Sequence, residues 1–318
     1  SFSATSDPLQ SANFWVYQIG FYAQDLWRLR DNVTVNYGGR VDWPIFPDVP
    51  AANATVQALY GEGTDVVPDT MTWSPRVGIN WDLSTDDTRQ QVRTGVGLFG
   101  GRTPYVWLSN QYTNTGNEFT RVSTGFNVNN RIPFVADPNA QPRNVGSAAT
   151  NEINLVDEGY DFPQLIRGNI GYDRSLVAGL IGSVELLFSK TVKDIDYDNL
   201  NLVQAGTRPD GRPFYRRANP TFSDVVFLTN TSEGNSWTVA TKLEKPFGDG
   251  WYASGSYLYG RSQTVNDGGS SQARSNWINN FFGIDGVNDP PLAVSNFDPG
   301  HRITMSMAYE LPLGPTRA

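Results

Sequence analysis

Along residues 72–82 every second side chain is apolar. Trp73, Pro75, Val77, Ile79 and Trp81 fall on one side, while Thr72, Ser74, Arg76, Gly78, Asn80 and Asp82 fall on the other. Successive side chains of a strand point to opposite faces, so this period of two predicts one long strand with a greasy face and a wet face. Residues 32–43 repeat it, with Val33, Val35, Tyr37, Val41 and Trp43 set against Asn32, Thr34, Asn36, Gly38, Arg40 and Asp42. Val92, Thr94, Val96 and Leu98 oppose Gln91, Arg93, Gly95 and Gly97. Ile166, Ile170 and Tyr172 oppose Arg167, Asn169 and Asp173, and Val184, Leu186 and Phe188 oppose Glu185 and Ser189. Trp237, Val239 and Leu243 oppose Thr238, Lys242 and Glu244, and Trp251, Ala253, Tyr257 and Tyr259 oppose Tyr252, Ser254, Ser256 and Gly260. Near the end, Ile303, Met305, Met307, Tyr309 and Leu311 oppose Arg302, Thr304, Ser306, Ala308 and Glu310. A further strand, residues 14–30, starts with Trp15, Tyr17, Ile19 and Phe21 on its apolar side. Asp25 then lands on that side, which calls for a bulge or a departure from the apolar layer.

The connections between these strands alternate between short and long. Short ones sit at residues 30–32, 84–88, 175–179 and 247–250, and long ones at residues 44–71, 101–163, 199–235 and 263–300. A soluble sandwich seldom keeps its long loops at one end, whereas a transmembrane barrel has tight turns on one side and long loops on the other. The last strand runs toward Pro312, Leu313, Gly314 and Pro315, which extends the alternation with another short turn.

Composition supports this reading. The chain is rich in Gly (31), Phe (17), Tyr (14) and Trp (9), yet only 39% of it is hydrophobic, which suits strands and loops better than helices. No stretch of 18 apolar residues occurs, so a helix does not cross a membrane; the other structure that satisfies its backbone in lipid is a closed β-barrel. Trp73 and Trp81 fit the two aromatic girdles of such a wall: eight residues at ~3.3 Å each, tilted by ~40°, span roughly 20 Å along the membrane normal. The expectation is an all-β, antiparallel transmembrane barrel segment of about nine long strands. Short turns then lie on the periplasmic side, long loops lie outside, and no second folded domain is predicted. With 32 acidic against 24 basic residues, a net charge of −8 and no Lys/Arg run, a nucleic-acid partner is not expected. The absence of cysteine excludes disulfides, thiolate metal sites and cysteine nucleophiles.

Two strings resemble the barrel hairpin of TonB-dependent receptors, which typically reads Y-x-Q-D-x-W and then L-T-x-N-x-G-x-R-Y-D. They are Gly20-Phe21-Tyr22-Ala23-Gln24-Asp25-Leu26-Trp27 and Val33-Thr34-Val35-Asn36-Tyr37-Gly38-Gly39-Arg40-Val41-Asp42. Val41 stands where an aromatic is usual and Gly39 where Leu is usual. Trp73-Ser74-Pro75-Arg76-Val77-Gly78, Gly97-Leu98-Phe99-Gly100-Gly101-Arg102-Thr103-Pro104, Ser109-Asn110-Gln111-Tyr112-Thr113-Asn114-Thr115-Gly116 and Asn296-Phe297-Asp298-Pro299-Gly300-His301-Arg302 resemble the Oar-like subfamily. The resemblance implies an outer-membrane barrel of about 22 strands around a plug, energised through a TonB-type transducer, with extracellular loops that capture a solute or peptide. Signal peptide, TonB box, plug and carboxypeptidase-regulatory-like domain are not seen in residues 1–318. The expectation is therefore a partial barrel whose partners are outer-membrane lipid, a plug and the remaining strands.

Catalytic chemistry finds little to stand on, and an enzyme is not expected. His301 is the one histidine, which excludes His dyads and multi-His metal sites, and its place beside Arg302 at a strand start suits an interfacial polar residue. Asp194, Asp196 and Asp198 alternate along one strand about 7 Å apart, where a hard cation such as Ca²⁺ could relieve their repulsion; a solvated strand end explains them as well. Asp285, Asn288 and Asp289 form a similar oxygen-rich loop. Carboxylate pairs such as Asp157 with Glu158 and Asp86 with Asp87 lie in loops without a glycosidase signature, and Gly95-Val96-Gly97 precedes no helix pattern that would make it a nucleotide loop. Arg40, Asp42, Arg76, Asn80, Asp82, Arg93, Arg167, Asp173, Lys242, Glu244, Arg302 and Glu310 are too polar for a dry core and are predicted to face the lumen. Tyr105, Trp107, Tyr112, Phe119 and Phe126 could stack on a ligand, or could pack the loop against its neighbours, the reading favoured here. Three functions remain open: a receptor barrel for a large or scarce solute, a structural or adhesive barrel that transports nothing, and a soluble β-rich carbohydrate-binding protein.

Overall fold

The computed structural model describes residues 2–3, 11–101, 104–120, 134–137, 140, 151–280, 283–284 and 286–311. After a two-residue strand β1 (Phe2–Ser3) come β2 (Tyr17–Arg30), β3 (Val33–Ile45), helix α1 (Ala54–Tyr60), β4 (Thr72–Asp82) and β5 (Gln90–Gly100). Helix α2 (Tyr105–Thr113), β6 (Phe119–Thr120), β7 (Asn151–Val156), β8 (Gln164–Ser175) and β9 (Ile181–Asn199) follow. Then come β10 (Leu202–Thr207), β11 (Pro213–Arg217), β12 (Phe222–Thr231), β13 (Gly234–Gly248) and β14 (Trp251–Thr264). Helix α3 (Ala273–Ile278), β15 (Ala293–Val294) and β16 (Gly300–Tyr309) complete the order.

Nine of these strands make a single wall. β2, β3, β4, β5, β8, β9, β13, β14 and β16 each pair antiparallel with the next in that order, an up-and-down meander in chain sequence. They are the nine strands expected from alternation, joined by the expected alternation of short and long connections. Among the described residues no pairing joins β2 to β16, which are the two edges of the wall. The turn between β13 and β14 shows how the short connections close. Asp249 and Gly250 both adopt positive φ, 50° and 80°, the left-handed pair that matches the twist of a two-residue hairpin. The turn expected at residues 312–315 lies outside the described residues.

Register aligns the apolar faces of neighbouring strands. Tyr37 pairs with Val77 and Val77 with Val96; Val35 pairs with Ile79, Thr94 with Ile170 and Leu186 with Val239. Among the described residues no other layer of protein covers this apolar surface: Val77, Ile79 and Val96 are 42%, 41% and 45% exposed, and Met305 is 81% exposed. A soluble sandwich would bury these residues against a second sheet. Of the two outcomes expected at Asp25, a bulge is not the one found. β2 continues through it without a bulge, shifting register only between Arg28 and Arg30, and Asp25 stays on the apolar face directly opposite Tyr37. The Tyr37 hydroxyl donates to Asp25 Oδ2 at 3.0 Å and the Leu26 amide to Asp25 Oδ1 at 2.8 Å, so hydrogen bonds serve the carboxylate where no bulge is formed.

Burial is concentrated at the long-loop end. One core cluster includes Phe46, Leu108, Val156, Tyr160, Ile195, Tyr197, Leu228 and Trp277, and a second joins Val56, Ile153, Leu155, Phe222 and Val225. These residues come from the long connections and from the extension of β9 beyond the wall, where β12 pairs antiparallel with β9 and parallel with β7. Residues 101–163, which carry no readable pattern in sequence, thus supply α2 and β7 to a folded cap.

Candidate functional site

The face of the wall opposite the apolar surface carries the ion pairs of the wall, interspersed with a few apolar side chains such as Phe99 and Leu187. Arg40 holds Asp42 through two contacts of 2.6 Å, from Nε to Oδ2 and from Nη2 to Oδ1. Arg93 on β5 reaches across to Asp173 on β8 at 2.8 Å, and Lys242 pairs with Glu244 along β13. All three pairs are partly open to solvent, so each contributes little to stability. What they accomplish is neutrality of a polar wall. Asn80 sits in register between Thr34 and Arg93, and Asp82 ends β4 by accepting the Ser84 amide at 2.8 Å. Arg302 lies opposite Leu258 on the edge strand β16, and Glu310 follows that strand, its amide donating to Gly250 O at 2.8 Å. Arg76 and Arg167 lie on either side of Gly97 in register, and Arg76 donates to Gln24 Oε1 at 3.4 Å.

The cap positions the predicted aromatics differently from a ligand-gripping loop. Tyr112 stacks on Phe14 with centroids 4.0 Å apart and donates to Asp48 O at 2.6 Å. Burial, with the Asp48 charge second, pushes its phenol up to about 12. Tyr105 packs edge-on to Phe46 and Phe162, and Trp107 donates its indole N–H to Ser270 O at 3.2 Å. Phe126 and the side chain of Phe119 lie outside the described residues.

Asp194, Asp196 and Asp198 share one face of the β9 extension. Asp194 and Asp196 each accept the amide of the following residue at 2.8 Å. Burial raises all three carboxyls, that of Asp198 to about 6, with Asp196 and Asp289 adding to its shift. Among the described residues no group of three or more Asp, Glu or His converges to hold a metal. Asn288 does not join Asp289 as a ligand set but serves the cap: its Oδ1 accepts the Asn199 amide at 3.0 Å and the Trp277 indole N–H at 2.9 Å. Asp285 lies outside the described residues. His301 begins β16, stacked on Tyr259 at 4.4 Å with its Nδ1 2.7 Å from the Tyr257 hydroxyl.

Sequence reasoning missed Asn199 and Asn201. Asn199 Oδ1 accepts the amides of Asn201 and Val225, and its Nδ2 donates to Asp224, whose other carboxylate oxygen receives Arg274 at 2.7 Å. Asn201 accepts from the Tyr60 hydroxyl and donates to the carbonyls of Asn219 and Phe222. The run Asp198-Asn199-Leu200-Asn201 reads as a loop start, and only the fold reveals that it ties four distant segments together.

Comparison with solved structures finds receptors of Pseudomonas aeruginosa. One variant of its ferric enterobactin receptor PfeA is similar at 13% identity over 77% of this chain and 26% of that chain, with a TM-score of 0.45. A second PfeA variant gives 11%, 93%, 38% and 0.48, and the siderophore receptor PirA gives 12%, 78%, 34% and 0.41. The chain thus spans 26–38% of the length of these receptors. No curated protein matches the sequence. Residues 1–318 match the family model of the outer membrane beta barrel domain. A wall of sequential antiparallel strands, apolar outside and polar within, is what such a domain requires. The chain belongs to the outer membrane beta barrel domain family, and the exposed apolar face of its wall is the surface that the bacterial outer membrane covers.

Proposed function

We propose that this chain is part of the barrel of a TonB-dependent receptor of the Oar-like group, taking part in passage of a large or scarce solute across the outer membrane without catalysing a reaction. The polar face of the wall supports this reading most directly: Arg40 with Asp42, Arg93 with Asp173 and Lys242 with Glu244 make a hydrated inner lining that a barrel sealed by its own side chains would not need. The motifs at residues 20–27 and 33–42 add the family expectation of a plug and an energy transducer. A structural or adhesive barrel is the competing reading, and the packing of Tyr105, Trp107 and Tyr112 into the cap is the observation in its favour.

The complete coding sequence, together with in-cell photocrosslinking of the full protein to TonB-type transducers, separates the two. A plug, a TonB box and a crosslink support the receptor. Their joint absence supports the adhesive barrel.

A further inference from the structure

On its long-loop side the apolar face of the wall ends in an arc of N–H donors. Lys190 continues the exposed series Val184, Leu186 and Phe188 along β9. Arg261 on β14 pairs with Trp237 on β13, and His301 on β16 pairs with Tyr259 on β14, so register places both on the face of those aromatics. All three are exposed. They also share one level. Barrel strands are tilted, so residues at equal height step down the ladder from one strand to the next. The aromatic belt shows the step. Trp73 on β4 lies opposite Val41, two residues nearer the short turns than Trp43, and Tyr259 lies opposite Val239, two residues nearer them than Trp237. Lys190, Arg261 and His301 follow the same descent: Lys190 is opposite Asn235, Arg261 opposite Trp237 and His301 opposite Tyr259. Each stands one outward-facing position beyond an apolar or aromatic residue of its own strand, Phe188, Tyr259 and Ile303. At ordinary strand spacings the Cα atoms of Lys190 and Arg261 are about 12 Å apart and those of Arg261 and His301 about 8 Å.

These donors are available. Lys190 and Arg261 make no ion pair among the described residues. The His301 ring stacks on Tyr259 with its Nδ1 on the Tyr257 hydroxyl, which leaves Nε2 for another partner. Lys245, at the other end of β13, is by contrast engaged: its Nζ donates to Gly248 O at 2.9 Å and lies 4.2 Å from the Trp251 ring centroid. Just beyond an aromatic belt a barrel meets lipid headgroups, where a guanidinium offers phosphate two parallel donors and an ammonium offers a compact charge. We infer that Lys190, Arg261 and His301 form a docking surface for a phosphate-bearing lipid headgroup of the outer leaflet, whose acyl chains lie along Phe188, Trp237 and Tyr259. Continuity with the lipid-covered wall and the charge of the arc single out a lipid over a soluble anion. The inference needs the wall alone and holds whether or not the barrel passes a solute.

Lipid retention tests the docking surface. The full protein, purified in a maltoside detergent, is mixed with equal amounts of phosphorylated and dephosphorylated lipid A in excess phosphatidylcholine, and the lipids it keeps are counted by native mass spectrometry. The wild type should retain the phosphorylated form over the other by roughly tenfold or more. Lys190→Gln combined with Arg261→Gln should abolish that preference, and Lys190→Arg combined with Arg261→Lys should keep it. Arg174→Gln, on the same face of the wall at its short-turn end, should also keep it. Equal retention of the two lipid A forms by the wild type overturns the proposal, and this comparison needs no variant to fold. Persistence of the preference in the double Gln variant overturns it as well. Displacement of phosphorylated lipid A by millimolar inorganic phosphate would show a site for a soluble anion and overturn the assignment to lipid.

Discussion

At the scale of single residues, Asp25 shows what a lipid-facing wall tolerates. Its carboxylate sits on the apolar face because the opposite strand supplies the Tyr37 hydroxyl at 3.0 Å. Tyr37→Phe removes the donor to Oδ2 and leaves the Leu26 amide on Oδ1 alone, so barrel stability in lipid vesicles, read by urea titration, should fall by about 1–3 kcal/mol. The alternation that put Asp25 on this face was legible in sequence. Its rescue was not, because it depends on which residue register brings opposite. Val77 gives a sharper test, since an exposed position on a water-soluble protein tolerates substitution within about ±0.5 kcal/mol. On a lipid-facing wall Val77→Arg should instead cost about 2–4 kcal/mol in the same titration.

Among the elements, the strands and their turns were readable from the chain, and the cap was not. Strand periodicity is local, so Trp73 through Trp81 declare their face without knowledge of any partner. The cap depends on contacts between segments far apart: Tyr60 with Asn201, Asn199 with Asn288, Trp107 with Ser270. Nothing in residues 101–163 repeats with a period, so α2 and β7 gave no signal. Trp277 is central to this cap, buried in its larger cluster with its indole N–H on Asn288. Trp277→Ala should destabilise the cap by about 3–5 kcal/mol. Hydrogen exchange should then accelerate in β7 and β12 while β4 and β5 keep their protection.

The carboxyls of β9 give the cap a pH dependence with a definite sign. Asp198 titrates near 6 in the folded cap because burial, followed by Asp196 and Asp289, disfavours its charge. The folded state therefore binds more protons than the unfolded state between the ordinary carboxylate value and about 6, and stability falls as pH rises through that window. Asp194 and Asp196 shift in the same direction. Cap unfolding followed by Trp277 fluorescence should accordingly show a lower urea midpoint at neutral pH than at mildly acidic pH. Asp198→Asn should raise the neutral midpoint and flatten the profile.

Taken as a whole molecule, the chain is organised inside out, with its exposed apolar residues on the wall and its buried ones in the cap. Its modest average hydrophobicity concealed this, because half of each strand is polar and the loops dilute the rest. The barrel fold emerged from periodicity and loop parity, whereas cross-strand pairs such as Arg93 with Asp173 emerged only once register was set. The lack of cysteine permits a direct test, since any single cysteine reports its own position. Bimane placed at residues 77, 79 and 96, and separately at 76, 80 and 93, is to be measured in membranes with and without spin-labelled acyl chains. Quenching confined to 77, 79 and 96 is the predicted result; equal quenching of both sets, or quenching of neither, would contradict a wall that faces lipid on one side and the barrel interior on the other.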